Sequence, residues 1–174
     1  MVQKRFVLRD EVFGHTLFDR KRMRHKFISG EELDQELKFP DVVVSDYEKW
    51  SADLSDAPSG IIYSPVRLYF ELTSSCNLKC KPCFNQSGKA KPDEMSTPQV
   101  MSALEGLRRD NIFDIRFSGG EITTRPDWFQ ILKHAKKLGF SVSLNTNGVY
   151  SKPGETISQL ASLDLEEIAI NNSS

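Results

Sequence analysis

The spacing of apolar residues along the chain changes at about residue 45. Before that point, short apolar runs predict three strands, at 6–8, 16–18 and 23–28. Ser29 is a favoured N-cap residue, and Glu32 three residues later completes a capping box, so a helix is predicted to follow. Leu37 continues the apolar stripe of that helix, and Pro40 is expected to end it. The pattern therefore predicts a small α+β unit, made of strands and one helix, over residues 1–45.

The second part of the chain alternates strands with amphipathic helices. Residues 46–64 are rich in Asp, Ser, Pro and Gly, a composition that predicts a linker. Beyond it, strands are predicted at 67–72, 112–117, 140–144 and 167–170. Helices are predicted from Thr97 onwards, from Pro126 to Gly139, and at 155–162. This alternation predicts an α/β unit over residues 65–174, with parallel strands and right-handed crossovers.

Each predicted strand of the α/β unit is followed by a polar motif. The motifs, in strand order, are Cys76-x3-Cys80-x2-Cys83, Gly119-Gly120-Glu121, Asn145-Thr146-Asn147-Gly148 and Asn171-Asn172. In β/α barrels the active site lies on the loops at the carboxyl ends of the strands. We therefore expect the four motifs to converge on one rim.

Composition and charge narrow the classes of function. Of the 174 residues, 39% are apolar and 27% are charged, which is typical of a globular chain. The net charge of −1 gives no reason to expect binding to nucleic acid or to a membrane surface. No apolar run is long enough to span a membrane, and the N-terminus lacks the apolar core of a signal peptide. Three cysteines within eight residues make a poor disulfide framework, so a reducing, cytoplasmic setting is expected.

The three cysteines carry the most specific chemistry in the chain. Three thiolates can hold three irons of a cubane cluster and leave the fourth iron open to a substrate. A zinc site is the alternative, but zinc prefers four ligands and the chain has no fourth cysteine. His134, the nearest histidine after the loop, falls in the middle of a predicted helix. The sequence therefore favours an iron–sulfur cluster.

The cysteine spacing, preceded by Glu71-Leu72-Thr73 and followed by Phe84, resembles the cluster loop of the radical S-adenosylmethionine (radical SAM) enzymes. The run from Tyr69 to Thr97 is similar to the peptide-maturase branch with a SPASM-type C-terminal domain, in the style of the mycofactocin maturase. The resemblance covers about residue 67 to the C-terminus. It implies a [4Fe–4S] cluster on Cys76, Cys80 and Cys83, and S-adenosylmethionine as the second cofactor.

The same resemblance assigns roles to the other motifs. Gly119, Gly120 and Glu121 match the Gly-Gly-Glu motif that receives the amino group of S-adenosylmethionine, although in isolation such a motif is more often a tight turn. Asn145 or Thr146 would contact the cofactor, and the alternative is a turn built on Asn147-Gly148. The implied reaction is cleavage of S-adenosylmethionine to a 5′-deoxyadenosyl radical that abstracts a hydrogen from a peptide.

The chain is shorter than a complete β/α barrel would require. A full barrel has eight strands and about 250 residues, whereas 108 residues follow residue 66, enough for four β/α units. The expectation is a partial barrel of the radical SAM type, as a fragment or as half of a split enzyme. Partners would be a precursor peptide, an electron donor such as a flavodoxin or ferredoxin, and whatever covers the open barrel edge. The alternative function is a non-catalytic, truncated iron–sulfur or metal-binding protein that binds peptide.

The run from Arg20 to Lys26 is strongly basic. One interpretation is a solvated hairpin, which is the usual structure of such a run. The other is a docking edge for an acidic leader peptide, which would add to the sheet as an extra strand.

Overall fold

The computed structural model describes residues 3–171, and its N-terminal part is a sheet of four strands. The strands are β1 (Phe6–Glu11), β2 (Gly14–Asp19), β3 (Arg24–Ile28) and, later in the chain, β6 (Glu48–Trp50). Their order is β3-β2-β1-β6, with β1, β2 and β3 antiparallel and β6 parallel to β1. The three predicted N-terminal strands are confirmed. The segment predicted as a linker is partly regular, because β6 lies within it.

The predicted helix is much shorter than expected. It begins with the capping box, in which Ser29 Oγ accepts the Glu32 N–H at 3.2 Å and Glu32 Oε2 accepts the Ser29 N–H at 2.9 Å. However, α1 (Gly30–Leu33) ends after one turn, so the prediction of a helix up to Pro40 is wrong. Instead, β4 (Lys38–Phe39) and β5 (Val42–Val43) form a small hairpin. Leu37 and Phe39 do not continue the helix. Both side chains are buried in the N-terminal core instead, which removes more of their apolar surface from water than a longer surface helix would.

The C-terminal part is a parallel sheet with helical crossovers, as the sequence predicts. Its strands are β7 (Arg67–Thr73), β8 (Asp114–Gly119), β9 (Ser141–Thr146) and β10 (Glu167–Ile170), in the order β10-β9-β8-β7. Its helices are α2 (Thr97–Arg109), α3 (Trp128–Leu138) and α4 (Pro153–Ser162). All neighbouring strands pair in parallel. The mixed α/β prediction is confirmed, with β8 beginning and ending two residues later than predicted.

The two faces of the parallel sheet differ in polarity. Alternate strand residues pack with the helices in one apolar core, which includes Phe70, Ile115, Phe117, Val142 and Leu144. Because successive strand residues point to opposite faces, the other face carries polar and aromatic side chains. There Arg116 forms an ion pair with Glu167, and its guanidinium lies 5.9 Å from the centroid of the Tyr69 ring. This second face leads up to the loops that carry the polar motifs.

An aromatic sandwich joins the N-terminal sheet to the parallel sheet. Phe113, just before β8, stacks between Phe18, at 5.1 Å between ring centroids, and Trp50, at 5.3 Å. The fully buried Arg9 guanidinium lies 4.7 Å from the Phe113 centroid and donates a hydrogen bond to the Asn111 carbonyl at 3.0 Å. Stacked rings and a buried, hydrogen-bonded cation fix the orientation of the two sheets.

Asp114, at the start of β8, gives the fold a predictable pH dependence. Its side chain is fully buried and paired with Arg67, and its Oδ1 has no hydrogen-bond partner among the described residues. Burial raises the pKa of Asp114 from 3.8 to about 6, against the opposing effect of Arg67. At a pH between these two pKa values, the Asp114 carboxyl is protonated in the folded state and ionised in the unfolded state. Stability is lost as the pH rises through this window.

We expect the wild-type chain to lose about 2 kcal/mol of unfolding free energy between about pH 4 and about pH 7 through this residue. The Asp114→Asn variant, which cannot titrate there, should lack this component. Urea unfolding of both proteins at the two pH values measures the difference. Parallel pH profiles of the two proteins would show that Asp114 is not protonated in the folded state.

Candidate functional site

The loop after β7 carries all three cysteines. Cys76, Cys80 and Cys83 are free thiols, each half-buried. The neck of the loop is closed by backbone pairing: the Cys76 N–H donates to the Gly88 carbonyl at 3.0 Å, and the Gly88 N–H donates to the Ser74 carbonyl at 2.9 Å. The pairing holds the cysteine segment, which has no helix or long strand, to the end of β7.

One cysteine has a hydrogen bond that favours the thiolate. Cys83 Sγ accepts the Ser87 N–H at 3.4 Å. This bond is the main cause of a lowered pKa of the Cys83 thiol. Because the thiolate is the form that binds metal, the lower pKa suits Cys83 to that role.

Two asparagines tie the cysteine loop to the loop after β9. Asn147 Nδ2 donates to Asn77 Oδ1 at 2.8 Å, and Asn77 Nδ2 donates to the Val149 carbonyl at 2.7 Å. Asn147 Nδ2 also lies 3.8 Å from Cys76 Sγ. A third asparagine, Asn85, donates to the Gly119 carbonyl at 3.0 Å. The sequence-based prediction missed Asn77 and Asn85, and the available signal was their position one and two residues after a cysteine.

Gly119 and Gly120 allow the loop after β8 to contact the base of the cysteine loop. A Cβ atom on Gly119 would collide with the Thr73 carbonyl oxygen, and a Cβ atom on Gly120 would collide with the Ser75 carbonyl oxygen. Gly119 also has a φ of 136°, a backbone conformation that residues with a side chain rarely adopt. At this approach the Gly120 N–H donates to the Thr73 carbonyl at 2.7 Å. The close approach expected of the glycines is therefore made, within this chain, to the backbone that leads into Cys76.

The Glu121 carboxylate is fully buried and bound by protein groups. Oε1 accepts the Thr123 N–H at 3.1 Å and the Thr123 hydroxyl at 2.7 Å. Oε2 accepts the Thr146 hydroxyl at 2.9 Å and the Asn147 N–H at 2.8 Å. With both oxygens engaged, the carboxylate links the loops after β8 and β9. This link was not predicted from the sequence, because the expected partner of Glu121 was an ammonium group of a ligand.

The other predicted residues lie beside this link. Thr146 is buried against Glu121, whereas Asn145 points to the polar face of the sheet, on the opposite side of the strand. The Asn145 Oδ1 atom is buried and has no hydrogen-bond partner among the described residues. The Asn171 N–H donates to the Thr146 carbonyl at 2.9 Å. Asn172 lies outside the described residues.

The contacts bring the first three predicted motifs together, and Asn171 of the fourth motif joins them through its backbone hydrogen bond to Thr146. The cysteine loop touches both the Gly-Gly-Glu segment and the Asn145–Gly148 segment, all at the carboxyl edge of the parallel sheet. Within residues 3–171, no three His, Cys, Asp or Glu side chains converge on a position for a single metal ion. That finding does not favour the zinc alternative. In a cubane cluster each thiolate binds a different iron, so a cluster does not require the three thiols to converge on one position.

Fold and site together define an α/β protein with a thiol-bearing site at the carboxyl edge of its parallel sheet. Residues 70–171 match the model of the radical SAM superfamily. The chain belongs to that superfamily, because the match covers more than half of it.

The curated proteins that the chain resembles include a maturase and a maturation protein. The chain is 37% identical over 108 residues to the mycofactocin maturase MftC of Mycobacterium ulcerans, a match that covers 62% of this chain and 29% of that protein. It is 30% identical over 132 residues to the sporulation killing factor maturation protein SkfB of Bacillus subtilis, covering 73% of this chain and 31% of that protein. The chain therefore spans less than a third of the length of these relatives.

A solved structure with the same fold is SuiB of Streptococcus suis, bound to its precursor peptide SuiA. The TM-score is 0.68 at 16% identity, over 92% of this chain and 45% of that chain. SuiB bound to S-adenosylmethionine gives a TM-score of 0.67 at 15% identity, over the same shares of the two chains. At this level of identity the likeness concerns the fold. Among the described residues, the chain has no helix that is long and apolar enough to cross a membrane.

Proposed function

We propose that this chain is the cofactor-binding part of a radical SAM enzyme that modifies a ribosomally made peptide. The observation that carries the proposal is the placement of three free thiols on one loop, bound on both sides to the Gly-Gly-Glu and Asn-Thr-Asn-Gly loops. Membership of the superfamily and the naming of two curated relatives as maturation proteins support the same conclusion.

The residues of the site suit both cofactors. Cys76, Cys80 and Cys83 would hold a [4Fe–4S] cluster, with the Ser87 N–H stabilising the Cys83 thiolate. When bound, the cluster and S-adenosylmethionine supply a 5′-deoxyadenosyl radical that abstracts a hydrogen atom from the substrate.

S-adenosylmethionine would lie against the Gly119-Gly120-Glu121 segment and the end of β9. Asn145 Oδ1, which is buried and unpartnered among the described residues, is an acceptor for a donor group of the ligand. Thr146 would not contact the ligand directly; its hydroxyl donates the hydrogen bond that holds the Glu121 carboxylate in place. The protein thus orients the ligand with preformed loops.

We further propose that the parallel sheet is the first half of a β/α barrel. Among residues 3–171, its outer strand β10 pairs with another strand along one edge only, and Ile168 and Ile170 on it are 42% and 65% exposed. An exposed apolar edge strand favours association. The strand that pairs with this edge would come from the rest of the barrel or from another copy of the chain. An electron donor such as a flavodoxin or ferredoxin would reduce the cluster.

The proposed peptide partner has a candidate docking edge in β3. This strand lies at the edge of the N-terminal sheet, and Arg24, His25, Lys26 and Phe27 on it are all exposed. An extended acidic peptide could pair with such an edge through main-chain hydrogen bonds. The SuiB structure with its precursor peptide supports a peptide partner, and three reduced cysteines fit a cytoplasmic setting.

Anaerobic reconstitution tests the proposed function. After treatment with iron and sulfide we expect about four irons per chain and the broad visible absorbance of an iron–sulfur cluster. Reduction with dithionite in the presence of S-adenosylmethionine should then yield 5′-deoxyadenosine, measured by chromatography. A cluster that yields no 5′-deoxyadenosine would favour the non-catalytic alternative. A colourless protein holding one zinc would overturn both functions that rely on an iron–sulfur cluster.

A further inference from the structure

A carboxylate outside the recognised motifs joins the two ends of the cysteine loop. Glu94 lies 11 residues after Cys83, just before α2. Its Oε1 accepts the Ser74 N–H at 2.7 Å and the Lys91 N–H at 3.0 Å. Its Oε2 accepts the Thr73 hydroxyl at 2.9 Å. Glu94 therefore binds the chain where it enters the loop and again where it leaves.

The electrostatics of the site favour the charged form of Glu94. Partial burial opposes ionisation, but the hydrogen bonds from Ser74, Lys91 and Thr73 outweigh it and lower the pKa of Glu94. The positive charge of Arg125 contributes in the same direction. Arg125 in turn donates to the Leu72 carbonyl at 3.0 Å, so the end of β7 is held from both sides.

The anchored residues are close to the cysteines. Ser74 is two residues before Cys76, and Thr73 ends β7. Ser74 also accepts the Gly88 N–H through its carbonyl, so the Glu94 contacts and the backbone pairing at the neck share one residue. A shift of the Thr73–Ser74 segment would move Cys76 relative to Cys80 and Cys83. Since a cluster needs all three thiolates at fixed separations, the position of this segment bears directly on cluster binding.

We propose that Glu94 is a positioning residue that closes the cysteine loop around its cluster and thereby slows the loss of iron. The inference rests on the proposed function, in that the cluster is the group to be retained. It does not require Glu94 to touch either cofactor. Its contribution comes through three hydrogen bonds that pre-set the loop before iron is bound.

The chain offers a graded set of variants. In Glu94→Ala all three hydrogen bonds are lost. In Glu94→Gln the amide oxygen can still accept the two backbone N–H groups, while the amide nitrogen donates to the Thr73 hydroxyl oxygen. Asp93→Asn changes the same charge at an exposed neighbouring position, and it is the matched control.

The test measures iron release from the reconstituted proteins into a chelator. We expect Glu94→Ala to lose iron about 10- to 100-fold faster than the wild type, the range for removing a group that supports metal ligands. The rate of iron release from Glu94→Gln should stay within about 3-fold of the wild-type rate, because this variant keeps the hydrogen bonds. Asp93→Asn should release iron at the wild-type rate. Equal release from Glu94→Ala and the wild type overturns the proposal. So does equally fast release from Glu94→Ala and Glu94→Gln.

Hydrogen exchange on the apo-proteins separates failure of this proposal from failure of the proposed function. The Ser74 and Lys91 amides should exchange slowly in the wild type and in Glu94→Gln, and faster in Glu94→Ala, with the amides of the parallel sheet unchanged. If the wild type takes up no iron but shows this pattern, the proposed function fails while the loop-closing contacts stand. If the two amides exchange alike in all variants, the positioning role is wrong whether or not a cluster binds.

Discussion

Replacing Cys80 with alanine is expected to abolish stable iron binding and 5′-deoxyadenosine formation. The thiol is free and half-buried, and it lies between Cys76 and Cys83 on the same loop. With two thiolates left, a cubane would have two of its four irons without a protein ligand. Loss of a group that only supports a ligand costs about 10- to 100-fold in metal affinity, so loss of the ligand itself should cost more than about 100-fold. Iron content and visible absorbance after desalting measure the loss.

The control for this substitution lies on the same loop. Lys89 is exposed and follows Gly88 at the neck, so Lys89→Ala should keep the full iron content and absorbance. Circular dichroism should be unchanged in both variants, because neither side chain belongs to the apolar cores. Full iron content in Cys80→Ala would mean that the cysteines do not act as three ligands of one cluster.

The Gly120→Ala substitution is expected to destabilise the fold by about 3 kcal/mol through a steric collision. The new Cβ would collide with the Ser75 carbonyl oxygen, a backbone atom that cannot rotate away. Relief requires the two loops to separate, which stretches the hydrogen bond from the Glu121 N–H to that same carbonyl, now 2.7 Å. Overpacking of about 1–3 kcal/mol and a lost hydrogen bond of about 1 kcal/mol sum to about 3 kcal/mol. Urea unfolding measures the change in stability.

Gly106→Ala is the matched control for that experiment. Gly106 is in the interior of α2, and the nearest atom to an added Cβ is the end of the Arg109 side chain at 3.7 Å. Because alanine is the better helix former, this variant should gain about 0.5–1 kcal/mol. If Gly120→Ala lowers the unfolding free energy and Gly106→Ala raises it, the loss in Gly120→Ala comes from the steric collision and not from the reduced backbone freedom of alanine. A Gly120→Ala protein as stable as Gly106→Ala would mean that the two loops do not pack as closely as described.

The regular elements of the parallel sheet were predictable because local pattern and tertiary packing agree there. The apolar spacing of Val100, Leu104 and Leu107 is that of a helix, and these residues do pack into the main core. Gly139 ends α3 with a φ of 97°, as a glycine after a helical pattern suggests. The meeting of the cysteine, Gly-Gly-Glu and Asn-Thr-Asn-Gly loops at one edge of the sheet was also predictable, since each loop follows directly on a predicted strand.

The connections between the site loops could not be predicted, because each joins residues far apart in the sequence. Glu121 binds Thr146, 25 residues later, and Asn77 binds Asn147, 70 residues later. Nothing in the local sequence of Glu94 indicates that it reaches back 20 residues to Ser74. The early end of α1 is a similar case, since Leu37 fits a helical stripe but is buried in the N-terminal core instead.

The pairing of β6 with β1 has a consequence for exchanging N-terminal units between members of the superfamily. A transplanted segment that stopped at residue 45 would omit β6, which covers one edge of β1 from Val7 to Arg9. It would also leave behind Trp50, one of the two aromatic rings that stack on Phe113. A functional chimera therefore has to carry the donor chain through Trp50 and to match the donor's aromatic surface with a residue like Phe113 in the recipient.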